Sequence, residues 1–364
     1  MPFALADGNG DFLALQNRFT ELYQDNKDAI VRVKAAYESN NPGEMSQIVI
    51  GTGFFISREG HVMTNASAVL NPDRVWVVYK GVEYAARMIG VDKATNLALL
   101  KVATLPADFK FIQIGDNPVL PSPGTLLLRI GCPLELAPSP SYGMVSGVES
   151  RFGQHVFPCG LVRTTIPANP GDGGSPLLDL NGRLVGVQVG SLSEATSTYI
   201  MPVRAVMRVR DDLLFSGKVS QGWIGFEVML DSTVANGQRV MVRNAIPGTP
   251  ADEVGMKGGD QIVQIGIYQI DNLDDLRNAL FYARVGEYVP IKVLREGKSV
   301  DFTVRIAERP KDADADIGLV QPQNEPKPIQ LPPKPAPSQP PSISMPAPSP
   351  SLSAPPPVHG APAR

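Results

Sequence analysis

The feature that most constrains this chain is its punctuation. From Ala29 to about residue 212, short runs rich in β-branched and aromatic residues are broken by Gly, Pro, Asn and Asp. The breaks come roughly every 8–12 residues, the rhythm of strands and turns in an all-β barrel or sandwich. Runs at 30–33, 53–56, 62–64, 75–79, 97–102, 125–130, 144–149, 184–189 and 198–201 are examples. About 180 residues of this texture exceed one small barrel, so two barrels in tandem are expected over 29–212.

The flanks read differently. Residues 1–28 form an N-terminal segment in which Phe12, Leu13, Leu15, Phe19, Leu22 and Tyr23 recur at helical spacing. That pattern is an amphipathic entry helix with a face to bury. Over 221–309 the order is strand, strand, a short helix near Ala251, strand, a second helix and two strands, an α+β module. Asn272 caps the second helix, Asp275 answers three residues later, Leu276 and Leu280 stack one turn apart, and Gly286 ends it. A hairpin then turns at Glu296 and Gly297. Residues 310–364 hold 17 of the 35 prolines and little to bury, so a disordered proline-rich tail is expected.

Composition narrows the function. The 364 residues are 43% hydrophobic, enough for two cores, and no run approaches the roughly 20 apolar residues that span a bilayer. A net charge of -3 with both signs interspersed argues against nucleic acid as partner. Cys132 and Cys159 are too few for a disulfide framework or a zinc site; two buried thiols are expected, with a single disulfide as the lesser reading. No metal or cofactor is implied. Phe3, Ala4, Leu5 and Ala6 before Asp7 read like the end of an export leader, and on that ground the natural protein is expected to be exported, periplasmic or in the cell envelope, the alternative being a short disordered cytoplasmic start.

Four blocks carry a resemblance. GTGFFISREGHVMTN (51–65), DKATNLALLKV (92–102), TTIPANPGDGGSPLLDLNGRLVGV (164–187) and YIMPVRAV (199–206) resemble, in order, the HtrA/DegP trypsin-like serine proteases. GWIGF (222–226) and IPGTPADEVGMKGGD (246–260) resemble the PDZ domain that follows in that family. The fold implied is mainly β: a chymotrypsin-like double β-barrel, then an α+β PDZ domain, then the tail.

The resemblance also locates a catalytic triad, and this sequence departs from it at each member. Where the family has the general base after Thr-Asn-x, Ser67 follows Thr64, Asn65 and Ala66; a hydroxyl does not accept a proton near neutral pH as imidazole does. Where the family has the orienting aspartate before Leu-Ala stands Asn96, which offers an N–H and no charge. Where the pattern Asn-Pro-Gly-Asn-Ser-Gly-Gly-Pro-Leu has its nucleophile stands Gly173. Loss of nucleophile or base alone costs such an enzyme about a millionfold in turnover. Ser175, two residues on, would lie roughly 6–7 Å from the nucleophile position in an extended segment, too far for catalysis. The three histidines read as ordinary: His61 at a hairpin, His155 in a surface loop, His359 in the tail.

What the scaffold retains is binding. The loop Gly171, Asp172, Gly173 can present oxyanion-type N–H groups to a carbonyl or carboxylate, unless the freer Gly-Gly pair has let it relax. In the PDZ module, Trp223, Ile224, Gly225 and Phe226 form the carboxylate loop and its strand, and Leu276 and Leu280 the helical wall, though several of these would be core in any such domain. The expectation is a catalytically inactive HtrA-like protein that binds unfolded polypeptides or hydrophobic C-termini as holdase, adaptor or regulatory subunit. The rivals are an active serine endopeptidase with an unconventional site and a purely structural role for the barrels. The resemblance further implies a homotrimer, with Phe12 and Phe19 touching neighbours, or a hetero-oligomer with an active relative.

Overall fold

The computed structural model describes residues 8–38, 47–115, 120–152, 155–192, 197–231 and 239–310. The leader-like residues 3–6, the proline-rich tail and His359 lie outside them.

The entry helix is α1 (Gly8–Asn26). Only its second half is packed: Leu22 is buried with Phe19 and Tyr23 against it, while Phe12 and Leu13 stay exposed. Phe19 meets Tyr142 with 5.4 Å between ring centroids. Arg18 Nε donates to Leu180 O (2.7 Å) and Tyr23 Oη to Pro138 O (2.8 Å), so the helix is tied to the second half of the barrel region.

The β-rich punctuation resolves into two closed antiparallel barrels. The first holds β1 (Ile30–Tyr37), β2 (Gln47–Phe55), β3 (His61–Asn65), β4 (Arg74–Tyr79), β5 (Val82–Asp92) and β6 (Leu97–Val102), closed in the order β1-β2-β3-β6-β5-β4. The second holds β7 (Leu126–Gly131), β8 (Ser139–Phe152), β9 (His155–Thr164), β10 (Pro176–Leu178), β11 (Leu184–Leu192) and β12 (Ser197–Pro202), closed as β10-β11-β12-β9-β8-β7. Strand periodicity explains how the barrels join. On β6, Ala98 and Leu100 fill the first barrel, while Leu97 and Leu99 face the larger core shared with second-barrel residues such as Leu128 and Ile130. Residues buried on both faces of a strand place that shared core at the seam between the barrels. His155 is the first residue of β9 and pairs with Phe152, so it is not in the expected loop; a hairpin with Val156 and Phe157 in its strand extends through it.

After α2 (Val203–Ser216), closed by Gly217 at φ 72°, comes the expected α+β order. It runs β13 (Gly222–Trp223), β14 (Phe226–Asp231), β15 (Arg239–Ala245), α3 (Pro250–Glu253), β16 (Gln261–Ile265), β17 (Tyr268–Gln269), α4 (Leu273–Tyr282), β18 (Tyr288–Arg295), β19 (Lys298–Arg305) and β20 (Ala307–Glu308). Asn272 Oδ1 accepts the N–H groups of Asp274 (2.8 Å) and Asp275 (2.9 Å), the cap read from the sequence. Asp275 reaches back to the Asp271 N–H (3.1 Å), one residue upstream of the cap. The helix stops at Tyr282, short of the expected Gly286, because Ala283 is already extended. Glu296 and Gly297 turn the β18–β19 hairpin with φ of 51° and 77°.

This module is fastened to the second barrel through α4. Phe281 is buried in the barrel-side core beside residues such as Cys159 and Val206, and the Arg208 guanidinium lies 4.3 Å from its ring centroid. Ser150 Oγ donates to Asp274 Oδ2 (2.5 Å), and Arg284 pairs with Asp211 at 3.3 Å. Cys132 and Cys159 are both free and buried, as two thiols and not a disulfide.

Candidate functional site

Ser67, Asn96 and Gly173, the positions that the resemblance assigns to a triad, come together at the seam between the barrels. β3 ends at Asn65 and passes into a short 3-10 turn that carries Ser67. Asn96, in the turn before β6 at φ 55°, accepts the Ser67 N–H on Oδ1 (2.8 Å). Its Nδ2 donates to Val189 O on β11 (2.7 Å) and lies 3.5 Å from Ser67 Oγ. The residue that links this pair to Gly173 is Asn65. Its Nδ2 donates to Ser67 Oγ (2.6 Å), and a Cβ built on Gly173 would lie 2.8 Å from that same nitrogen. A side chain at 173 would therefore require the Asn65 amide to shift. Asn65 Oδ1 is buried with no partner among the described residues. Sequence reading passed over Asn65 because it matches the family pattern; only its contact with Gly173 shows its importance.

Chemically, this cluster offers one hydroxyl and two carboxamides. None of them exchanges a proton near neutral pH, so the cluster contains no general base. His61 does not supply one: its Nδ1 lies 2.8 Å from Ser57 Oγ at the β2–β3 turn, and burial pushes the imidazole pKa down. Ser175 is fully buried. Its Oγ donates to Asp172 O (2.6 Å), its N–H to the same oxygen (3.1 Å), and its carbonyl accepts from the Gln188 N–H (2.9 Å). Those bonds turn the hydroxyl into the loop and away from solvent.

The loop 169–175 is not slack. Thr52 N–H donates to Gly173 O (2.8 Å), Thr52 Oγ1 to Gly171 O (2.7 Å), Leu134 N–H to Pro170 O (2.8 Å) and Gly174 N–H to Gln188 O (2.9 Å). Gly174 has to be glycine: at φ 87°, a Cβ there would sit 2.1 Å from Thr52 O. The N–H of Asp172 is taken by Asn169 O (3.1 Å), which removes it from the expected donor set. The N–H groups of Gly171 and Gly173 have no acceptor among the described residues.

Beneath the loop lies a buried ion pair. Asp172 Oδ2 is 2.9 Å from Arg129 Nη2, the two side chains 0% and 2% exposed. The same oxygen accepts the Asn169 N–H (2.7 Å). Arg129 also donates to Pro167 O (2.6 Å), Gln188 Oε1 (3.2 Å) and Ser141 Oγ (3.1 Å). Burial pushes the guanidinium pKa down, and the facing carboxylate pushes it back up. Asp172 stands where the family pattern has asparagine, so this charge pair is a departure of its own.

In the PDZ module, β14 lies at the edge of the sheet ordered β14-β15-β16-β18-β19. An edge strand leaves backbone groups open to an added strand. Gly225, at φ 85°, turns the chain into it, and Gly225 O accepts Ile246 N–H and Thr249 Oγ1 (both 2.9 Å). The N–H groups of Ile224 and Gly225 have no acceptor among the described residues. Ile224, Phe226 and Leu276 are buried in the module's core, whereas Trp223 and Leu280 are half-buried. Of the groove residues expected from sequence, Trp223 and Leu280 are thus the partly accessible ones, and Ile224 and Gly225 are buried.

With this geometry in place, comparison with known proteins is direct. Residues 51–187 match the family model of the trypsin-like peptidase domain, and residues 222–306 that of the PDZ domain. A probable periplasmic serine endoprotease DegP-like of Chlamydia trachomatis is 30% identical over 278 residues, 72% of this chain and 55% of its own length. In both domains and in their order the chain resembles the HtrA/DegP-like proteases. A second DegP-like relative of this HtrA-like chain, from Marinomonas, is 29% identical over 78% of the chain and 62% of its own length. The chain thus spans little more than half the length of these curated relatives. Among solved structures, the HtrA-type protease AlgW with a decapeptide superposes with a TM-score of 0.63 at 21% identity, covering 80% of this chain and 99% of that one. The serine endoprotease of Yersinia pestis gives 0.57 at 22%, over 80% and 98%. At such identities the likeness is one of fold. Among the described residues no helix is long and apolar enough to cross a membrane, and no metal-binding cluster is found.

Proposed function

We propose that this HtrA-like chain is an inactive member of its family that binds peptides in the bacterial cell envelope without cutting them. One observation carries the reading: Ser67, held by Asn96, and Gly173 both meet Asn65, whose amide would have to shift to admit a side chain at 173. An acyl transfer of the serine-protease type needs a nucleophile beside a base; this cluster has no hydroxyl at 173 and no base beside the one at Ser67. The binding surfaces have independent support. The loop 169–175 is tied in place with the Gly171 and Gly173 N–H groups free for a carbonyl or carboxylate oxygen. The Ile224 and Gly225 N–H groups suit a chain-terminal carboxylate, the edge of β14 suits an added strand, and Leu280 offers an apolar contact. Ligands are then unfolded segments and hydrophobic C-termini.

The envelope location follows from relatives named periplasmic. Exposed Phe12 and Leu13 suit contact with a second copy or an active relative; Phe19, already packed on Tyr142, contributes less than expected. The rival, an active endopeptidase, rests on the relatives' names. Incubating the full chain with casein and, separately, with an aggregating unfolded client separates the two. The proposal expects suppressed aggregation with casein left intact; casein turnover that disappears in Ser175→Ala would overturn it.

A further inference from the structure

A cavity of about 320 Å3 lies at the seam between the second barrel and α4, away from both peptide-binding surfaces described above. One wall is aromatic: Tyr268 and Tyr282 stack with centroids 5.7 Å apart and planes 14° from parallel. The Arg204 guanidinium carbon lies 5.3 Å and 4.6 Å from those two centroids. Asp179 and Asn278 line the same cavity, with Val185 as apolar floor.

The charges there are not paired. Among the described residues Arg204 has no carboxylate within 4.0 Å and no hydrogen-bond acceptor, unlike Arg208 and Arg284 nearby. Asp179 has no cation within that distance either; its Oδ1 accepts only the turn N–H groups of Asn181 (2.8 Å) and Arg183 (2.9 Å). A single cavity thus presents one unpaired cation, one unpaired anion, a free carboxamide and an aromatic face. A guanidinium lying on aromatic faces keeps its N–H edge available for a carboxylate, and its planar fork matches carboxylate geometry. The volume is at the lower end for small-molecule sites.

We propose that this cavity binds a small aromatic zwitterion of the amino-acid class, with its carboxylate on Arg204, its ammonium on Asp179 and its ring against Tyr268 and Tyr282. This site is independent of the peptide-binding proposal, since a PDZ groove holds a carboxylate through backbone N–H groups and has no use for a free ammonium. Because the ligand would touch both α4 and the barrel, its binding also strengthens their association by mass action.

The test is 19F NMR titration of the full chain with 4-fluoro-L-phenylalanine, its amide and its N-acetyl derivative. Losing one charge-assisted contact should weaken binding about tenfold or more. The free amino acid is expected to bind with the amide and N-acetyl forms at least that much weaker, and Arg204→Met and Asp179→Asn should each cause a similar loss. Asp179→Asn keeps the turn's acceptor oxygen, and Arg204→Lys keeps the charge, so a variant that misfolds does not decide the matter alone. Binding of the N-acetyl acid as tight as that of the free amino acid, or affinity indifferent to both Asp179→Asn and the Arg204 variants, would overturn the proposal.

Discussion

The Arg129–Asp172 pair gives the most informative single perturbation, Asp172→Asn. Asp172 Oδ2 receives the Arg129 Nη2 and the Asn169 N–H, with Asn169 Nδ2 at 3.3 Å as a weaker third donor, while Oδ1 is buried with no partner among the described residues. An asparagine with its oxygen in the Oδ2 place keeps these hydrogen bonds and the shape, so the substitution isolates the charge. What remains is a guanidinium 2% exposed with no counter-ion, plus a buried Nδ2 without an acceptor. Breaking a buried pair in this way costs about 3–5 kcal/mol. That corresponds to a fall in Tm of roughly 10 °C for a domain of this size. Adding Arg129→Met removes the stranded charge and should recover more than half of the loss, giving strong non-additivity. Urea unfolding of the wild type, both single variants and the double variant measures this. A loss below about 1 kcal/mol for Asp172→Asn, or additive single losses, would refute the view that the pair fixes the loop electrostatically.

Three further outcomes follow from the same structure. Phe281→Ala empties a site in the barrel-side core and should cost about 3–5 kcal/mol, with the PDZ module gaining a separate unfolding transition in calorimetry. Burial raises both the Cys132 and Cys159 thiol pKa values to about 12, so a thiol reagent such as Ellman's should report no reactive thiol at pH 8 until the chain is denatured. Burial lowers the His61 pKa below its unfolded value near 6.5, so the folded state favours neutral imidazole. Its contribution to stability is therefore full above the unfolded pKa and is lost as pH falls through the folded one. Stability measured across that interval should decline less steeply in His61→Gln than in wild type.

Much of this was legible in the sequence because it rests on local rules. Short apolar runs between turn residues marked strands such as β6, and an Asn at the right offset marked the α4 cap. Two elements were harder. β5 presents Glu83, Ala85 and Arg87 outward and carries two adjacent alanines, a weak strand signal whose position is set by pairing with β4 and β6. α2 begins directly after Pro202 without a side-chain cap, so no start signal marks it. The residue types at the three positions assigned by the resemblance, Ser67, Asn96 and Gly173, could be weighed one at a time, since each concerns a side chain's own chemistry. What no spacing rule reveals is the contact between Asn65 and Gly173, the pairing of Asp172 with an arginine on β7, or the burial of Phe281 in a neighbouring core. All three depend on segments distant in sequence that meet only in the folded chain. The groove residues show the same limit: Leu276 and Leu280 share a helical face, yet packing leaves only Leu280 accessible.

A reconstituted triad illustrates how these layers combine. In Ser67→His with Asn96→Asp and Gly173→Ser, the new side chain at 173 has its Cβ 2.8 Å from the Asn65 amide, so activity should return only in part.

The central claim concerns the native chain, and intact-protein mass spectrometry after prolonged treatment with a serine-directed fluorophosphonate tests it most directly. The account predicts no adduct, because Gly173 offers no hydroxyl and neither Ser67 nor Ser175 has a base beside it. A single stoichiometric adduct that Ser175→Ala or Ser67→Ala abolishes would contradict it.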